Sequence, residues 1–404
     1  MHKCSVSFPS TGNRLAHQSV FIDEAVLDIS YVPRAILHRE NELRMLESLF
    51  DNMVTAPYEM SQKAIILGGV GSGKTLLAQY YGRALRGKAQ KRRIPIEYIH
   101  VNCRELRGSL FMILSRVVKR LKPEFPERGY SANELLDILK EVLKEEELQI
   151  LLCLDEVDVL IENEGGEALY YLSRFHETDP DAPRLLNLLC ISKDPEVFRK
   201  LDRSTLSSLQ QNVIRMLEYD QGQLSDILLQ RIEQAFRKDA VPLEIVDFIS
   251  DVAAREHGDA RYAIDILRRA GKYADTENSY QIKPDHVRNA AMGLFPVLNK
   301  QTIRQLSLHE QLTLLSVARF FISHEATEAM TGEIEDLYHL ICEEYKETPR
   351  GHTQFWKYLK TLKGLDFVNM KLQTSGEGRT QLISLEKVPA GDLEREVKLA
   401  VEQG

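Results

Sequence analysis

The octapeptide GGVGSGKT, residues 68–75, sets Gly68, Gly73, Lys74 and Thr75 at the spacing G-x-x-x-x-G-K-[ST]. Directly before it, residues 64–67 are a short apolar run that suits a buried strand, and residues 76–86 have helical spacing. A glycine loop between a strand and a helix lets backbone N–H groups curl around phosphate oxygens, and the helix N-terminus adds positive potential. Lys74 then reaches the β- and γ-phosphates and the Thr75 hydroxyl ligates Mg²⁺. Gly68, Gly69, Val70, Gly71, Ser72, Gly73, Lys74, Thr75 and Leu76 are the expected contacts of ATP or ADP.

Such a loop needs a second half, an apolar strand that ends in carboxylates. Residues 149–154 followed by Asp155, Glu156, Val157 and Asp158 supply it. Asp155 is expected to hold Mg²⁺ through water and Glu156 to polarise the attacking water. Further strands are expected at 94–101 and 185–192, with helical stretches between them. Strands alternating with helices predict a parallel sheet covered on both faces, with the ligand at the carboxyl ends of the strands. The basic run at 83–93, RALRGKAQKRR, is expected as a loop distal to the nucleotide.

The rhythm changes twice downstream. After Tyr219 the strand signals vanish, and residues 224–236, 243–257 and 260–273 suit helices. After the Phe295-Pro296 break come helical stretches at 308–322, 331–345 and 353–362. Alternating segments at 367–372 and 381–385 then flank SGEGRT. Three helices and a glycine-tipped hairpin predict a winged helix. The expected organisation is a flexible N-terminal arm at 1–28, a nucleotide-binding base at 29–219, a helical lid at 220–297 and a winged helix at 305–390.

The chain's 404 residues are enough for two or three domains, and 43% hydrophobic with 28% charged residues is an ordinary globular balance, which argues against disordered or membrane classes. The 52 Lys and Arg against 60 Asp and Glu leave a net charge of −8, so attraction to nucleic acid has to come from a local basic face. Five scattered cysteines without a CxxC pair speak against a disulfide framework or a zinc site. No signal peptide and no long uncharged apolar run is present, so a cytoplasmic protein without a membrane partner is expected.

Seven blocks in order resemble one family. They are YVPRAILHRENEL before the glycine loop, IHVNCRELRGS, LDEVDVLIENEG, LLCISKDPE, QLSDILLQRIEQAF, GDARYAIDILRRAG and the terminal winged helix. Together they resemble the AAA+ ATPases, and within them the archaeal replication initiators related to the origin recognition complex and the cell-division-control loader. The resemblance implies a RecA-like α/β base with a parallel sheet, an all-α lid and a C-terminal winged helix. It implies ATP-dependent binding of double-stranded origin DNA, nucleoid association, and the replicative helicase and initiator paralogues as partners. It places Val32, Pro33 and Arg39 beside the adenine and makes Arg261 in GDAR the sensor-two arginine.

Two departures touch hydrolysis. Lys193 stands where the family usually has a sensor-one Asn, and a cation cannot orient water as an amide does. Arg203, the expected catalytic arginine, sits one residue earlier than the family spacing before Ser207-Ser208-Leu209. Nucleotide binding with slow turnover is the expectation, and a divergent AAA+ paralogue acting as a regulator or interaction protein is the rival.

For DNA, charge separates along the C-terminal module: residues 310–347 carry 2 Lys/Arg against 9 Asp/Glu, and residues 350–387 carry 7 against 3. In the helix from about Thr353, the stripe Phe355, Leu359 and Leu362 leaves Thr353, Gln354, Lys357, Tyr358 and Thr361 toward solvent or groove. Arg379 is expected at the wing tip, with Glu377 opposing phosphate approach. A second basic region at 104–123 matches the initiator-type insertion, with Arg104, Arg107, Arg116, Lys119 and Arg120 as its expected DNA contacts.

Overall fold

The computed structural model describes residues 19–126, 129–176, 183–209, 212–292, 300–375, 378–386 and 388–403, without the side chains of 208, 292, 300, 301, 373–375, 378–380 and 403. It divides into two compact units. One comprises Val32–Gln223 with Glu256–Ala260, and the other Leu224–Arg255 and Arg261–Gly404 with the described residues up to Tyr31.

In the first unit the chain runs α1 (Glu40–Phe50), α2 (Asn52–Thr55), β1 (Lys63–Gly68), α3 (Lys74–Arg92), β2 (Ile96–Asn102), α4 (Leu110–Leu121), α5 (Ala132–Glu145), β3 (Gln149–Asp155), α6 (Val157–Glu164), α7 (Glu167–Ser173), β4 (Leu186–Ser192), α8 (Arg203–Leu209) and β5 (Val213–Met216). The five strands form a parallel sheet in the order β2-β3-β4-β1-β5. Alternate side chains point to opposite faces of a strand, and the core divides accordingly. Ile65, Leu67, Ile99, Leu152 and Leu188 pack under α4, α5 and α6, while Ala64, Ile66, Tyr98, Cys153 and Leu189 pack under α1, α2 and α3.

The lid helices are α9 (Gln221–Ala235), α10 (Leu243–Arg255), α11 (Ala260–Thr276) and α12 (Pro284–Met292), which from Leu224 on belong to the second unit except for Ala260 at the start of α11. After these come α13 (Lys300–Gln305), α14 (Leu308–His324), β6 (Glu328–Met330), α15 (Thr331–Glu344), α16 (His352–Gly364), β7 (Asn369–Ser375), β8 (Gly378–Ser384) and α17 (Ala390–Gln403). The antiparallel sheet β6-β8-β7 completes a winged helix around Phe355, Leu359 and Leu362. Arg288 of α12 is fully buried: its guanidinium donates to the backbone oxygens of Leu385 at 2.6 Å and Ala326 at 2.7 Å and lies 4.7 Å over the Phe321 ring.

Several expectations are corrected. Residues 83–92 are not a loop: they are the continuation of α3, because Leu85 and Ala89 extend its buried stripe and Arg, Lys, Gln and Ala are good helix formers. The fifth strand, β5, has four residues, too few to show a period. The flexible arm does not include residues 19–28. Val20 is buried, its N–H donates to Asp275 at 2.7 Å, and the Phe21 ring lies 4.7 Å from that of Phe236; residues 1–18 lie outside the described residues. The C-terminal module does not stop at 390, since Leu393, Val397 and Ala400 of α17 join its core. Among the described residues no helix is long and apolar enough to cross a membrane, and Cys103, Cys153, Cys190 and Cys342 are buried without disulfides.

Candidate functional site

The strand order puts the ends of β3, β4 and β1 side by side at the carboxyl edge of the sheet. From β1 the chain enters the glycine loop, where Gly71 has φ +72° and Gly73 φ +90°, a region that only glycine adopts readily. The Lys74 ammonium folds back over this loop and donates to the Gly68 oxygen at 2.9 Å and the Gly69 oxygen at 2.6 Å. Val70 is exposed at the loop's crest, whereas Ser72 is buried and its hydroxyl donates to the Gly69 oxygen at 2.9 Å. Leu76 is half-buried in the first turn of α3.

Thr75 and Asp155, predicted as a pair from two distant motifs, meet: Thr75 Oγ1 donates to Asp155 Oδ2 at 2.7 Å. The same oxygen lies 3.1 Å from Nε2 of His100, and the Glu156 N–H donates to Oδ1 at 2.9 Å. Burial alone would push the Asp155 carboxyl up, but the bonds from His100 and Thr75 outweigh it and hold the group below the ordinary aspartate value. His100 is a site residue that sequence reasoning missed, because IHVN shows only the alternation of a strand.

Glu156 occupies a left-handed turn, φ +52°, that carries its side chain out of the strand. There it is ion-paired with Arg104. Arg104, expected on DNA, is thus committed to the carboxylate expected to polarise water. Lys193 is exposed just beyond the register pair Leu67↔Ser192, at the edge between β1 and β3. Ser192 before it donates to Asp158 Oδ1 at 3.2 Å. Arg203 is exposed at the start of α8, where Asp202 caps the helix by accepting from the Ser204 and Thr205 N–H groups.

Arg39 is 4% exposed and its guanidinium is spent on the protein itself. Nη2 donates to the Ser72 oxygen at 3.1 Å and the Leu217 oxygen at 2.6 Å, and Cζ lies 3.9 Å from the Tyr219 ring centroid. Pro33 is buried and Val32 half-buried in the preceding segment. The short stretch Glu256–Ala260 closes on the same loop: the Ala260 N–H donates to the Gly71 oxygen at 3.4 Å. A Cβ on Gly71 would fall 1.9 Å from Asp259 Oδ1, and one on Gly258 would fall 2.2 Å from the Tyr219 oxygen. Only glycines allow this approach. Arg261, exposed in the first turn of α11, is the next residue along the chain.

On the winged helix, α16 buries Phe355, Leu359 and Leu362 and exposes Thr353, Gln354, Lys357 and Thr361 along one face. Tyr358 differs from expectation. It is half-buried and its ring stacks on His309 at 6.0 Å, so it supports the helix packing. Arg379 pairs in register with Thr374 on the β7–β8 hairpin; its side chain and residues 376 and 377 lie outside the described residues. In the segment at 104–123, Arg107, Arg116, Lys119 and Arg120 are exposed, and α4 buries the opposite stripe Leu110, Ile113, Leu114, Val117 and Val118.

Comparison with known proteins gives concordant results across the chain. Residues 61–201 match the AAA domain, residues 225–292 the Cdc6 AAA+ ATPase-type lid domain, and residues 301–395 the CDC6 C-terminal winged helix domain. The ORC1-type DNA replication protein 2 of Sulfurisphaera tokodaii is 31% identical over 375 residues, covering 91% of this chain and 90% of its own. Among solved structures, Cdc6p from Pyrobaculum aerophilum has a TM-score of 0.80 at 29% identity and covers 95% of this chain and 99% of its own. The Aeropyrum pernix ORC1 protein, solved in complex with DNA, has a TM-score of 0.62 at 28% identity, covering 95% and 97%. The Aeropyrum pernix ORC2 protein, solved as ADPNP–ADP complexes, has a TM-score of 0.63 at 26% identity, covering 95% and 99%.

Proposed function

This chain belongs to the ORC1-type DNA replication protein family, and from that membership we propose that it is an ATP-dependent initiator that binds duplex origin DNA. The observation that carries the proposal is the coexistence in one chain of the Lys74, Thr75 and Asp155 constellation with a winged helix whose α16 exposes Lys357, Thr353 and Gln354. A DNA complex and nucleotide complexes among the similar solved structures support the two halves.

The glycine loop and the N-terminus of α3 cradle the phosphates, and the Lys74 ammonium moves from the loop oxygens to the β- and γ-phosphate charge. A hydroxyl and a carboxylate within 2.7 Å of one another are the hard oxygen donors that suit Mg²⁺, so Thr75 and Asp155 are the residues that would hold it. Held by these two residues, Mg²⁺ would supply neutralisation of the phosphate charge. Arg39 acts on the loop through Ser72, Val32 and Pro33 lie on the adenine side, and Arg261 adds a cation toward the phosphates. Glu156 orients water for hydrolysis once Arg104 releases it, and Lys193 and Arg203 complete the charge balance of a slow reaction. DNA is gripped by α16 and the Arg379 wing, with Arg107, Arg116, Lys119 and Arg120 of the base as further contacts. Recruitment of the replicative helicase and of initiator paralogues at the nucleoid belongs to the same proposal.

Lys193 and the Glu156–Arg104 pair also favour a second reading, in which the chain regulates other initiators with little turnover of its own. Footprinting of the full chain across origin fragments, with and without ATP, separates them. The initiator reading expects a protected duplex segment that strengthens with ATP, and absence of protection on every origin fragment contradicts it.

A further inference from the structure

Helices α3 and α4 each set an arginine beside one carboxylate. Glu97, on the edge strand β2, lies 3.5 Å from Arg86 of α3 and 4.0 Å from Arg120 of α4. The basic run that looked like a loop in the sequence is therefore a helical face joined to the basic end of α4. Arg83, Gly87 and Lys91 follow one another at intervals of four, so they form a row along the solvent side of α3, flanked by Arg86 and Gln90. On α4, Arg116 and Arg120 are likewise four apart and exposed. Arg83, Lys91 and Arg116 hold no ion pair among the described residues. Lys88 and Lys122 are outside this surface, one held by Glu47 and Asp51 and the other by Glu145.

Gly87 adds an independent observation. Glycine inside a helix is unfavourable relative to alanine, and a Cβ at this position would meet nothing within 4 Å. Nothing among the described residues packs against this position. A flat place in the middle of a basic row is what the close approach of a partner's backbone requires.

We propose that this α3–α4 surface grips the phosphate backbone of duplex DNA, as a contact additional to the winged helix and to the insertion alone, with Gly87 admitting the backbone between Arg83 and Lys91. The proposal rests on the reading that the chain binds duplex DNA. Charge complementarity selects the occupant: in a chain of net charge −8, this face gathers cations around one carboxylate. Its α3 row exposes no large apolar side chain of the kind that anchors a protein interface, and α4 exposes a single one, Met112, four residues before Arg116. Duplex DNA offers about one negative charge per 1.7 Å of axis and no requirement for such an anchor.

The test is a salt-dependent binding titration of the full chain on origin and random duplexes. Arg83→Ala with Arg86→Ala and Lys91→Ala is expected to weaken binding about tenfold to a hundredfold on both duplexes. It should lower the salt slope by about two to three while leaving ATP affinity unchanged. Gly87→Ala keeps every charge and is expected to weaken binding several-fold with Tm unchanged or raised; equal binding by this variant overturns the close approach. A triple variant that keeps the affinity and slope of an unmutated chain that does bind duplex overturns the surface and leaves the initiator reading standing. An unmutated chain without duplex affinity overturns both.

Discussion

Thr75 Oγ1 donates to Asp155 Oδ2 at 2.7 Å, linking the first turn of the helix after the glycine loop to the last residue of a strand two places away in the sheet. The bond ties the two halves of the nucleotide site into one unit and sets two hard oxygen donors side by side.

Thr75→Ala is expected to abolish the gain in ATP affinity that Mg²⁺ confers while leaving Mg²⁺-free binding nearly unchanged. Lys74→Ala should lose affinity under both conditions, because the phosphate charge is then uncompensated in the loop. Calorimetric titration of the two variants with and without Mg²⁺ checks this. Equal Mg²⁺ gains in Thr75→Ala and the unmutated chain contradict the assignment.

Turnover is expected to be slow, well under a typical enzyme rate of about 10 per second, with Glu156 held by Arg104 and no amide at Lys193. Arg104→Ala should raise the basal rate by releasing the carboxylate. Steady-state phosphate release without DNA measures both, and fast hydrolysis by the unmutated chain goes against the account.

Stability is expected to fall in mild acid through His176. Burial, outweighing the hydrogen bond to Leu186, lowers this imidazole from the usual 6.5 to about 4. Its Nε2 accepts the Leu186 N–H at 3.1 Å and so stays unprotonated. Between pH 6.5 and about 4 the unfolded chain binds the proton that the folded chain refuses, so stability is complete above pH 6.5 and is lost as the pH drops through that window. With partial exposure screening the effect, the change from pH 7 to 5 is on the order of 1 kcal/mol. His176→Gln keeps an acceptor for Leu186 and should flatten this part of the profile. Denaturant midpoints at pH 7 and 5 for both chains decide it.

Arg288→Ala is expected to destabilise the chain by about 2–4 kcal/mol, because it strands the buried oxygen of Leu385 and the half-buried oxygen of Ala326 and empties the space beside Phe321. Urea unfolding monitored by circular dichroism is the measurement. A shift below about 0.5 kcal/mol would mean that the guanidinium is replaceable by water.

Much of this fold is legible in the sequence for identifiable physical reasons. Glycine spacing, a fully buried strand and a following carboxylate each leave local marks, so β1, β3 and the Thr75–Asp155 pair can be inferred without coordinates. The stripe Phe355, Leu359 and Leu362 likewise fixes which side of α16 faces outward. What escapes is what depends on tertiary pairing. β5 is four residues whose only credential is its partner β1. His100 becomes significant only because β2 lies beside β3 in register, Asn102 opposite Asp155. Arg39 belongs to a block that implied adenine contact, yet its hydrogen bonds to Ser72 and Leu217 are set by loops far apart in sequence. The 83–92 segment misleads for the opposite reason, since its density of charge and its Gly87 obscure the buried Leu85 and Ala89 that keep it helical.

The central claim, a nucleotide-binding chain that grips duplex DNA through its winged helix, is tested most directly by Lys357→Ala combined with Arg379→Ala. Salt-dependent titration on origin and random duplexes, with ATP affinity measured alongside, should show duplex binding weakened by about 1–3 kcal/mol for each contact that reads a base, a lower salt slope, and unchanged ATP affinity. A double variant that binds with the same affinity and slope as the unmutated chain would contradict the claim.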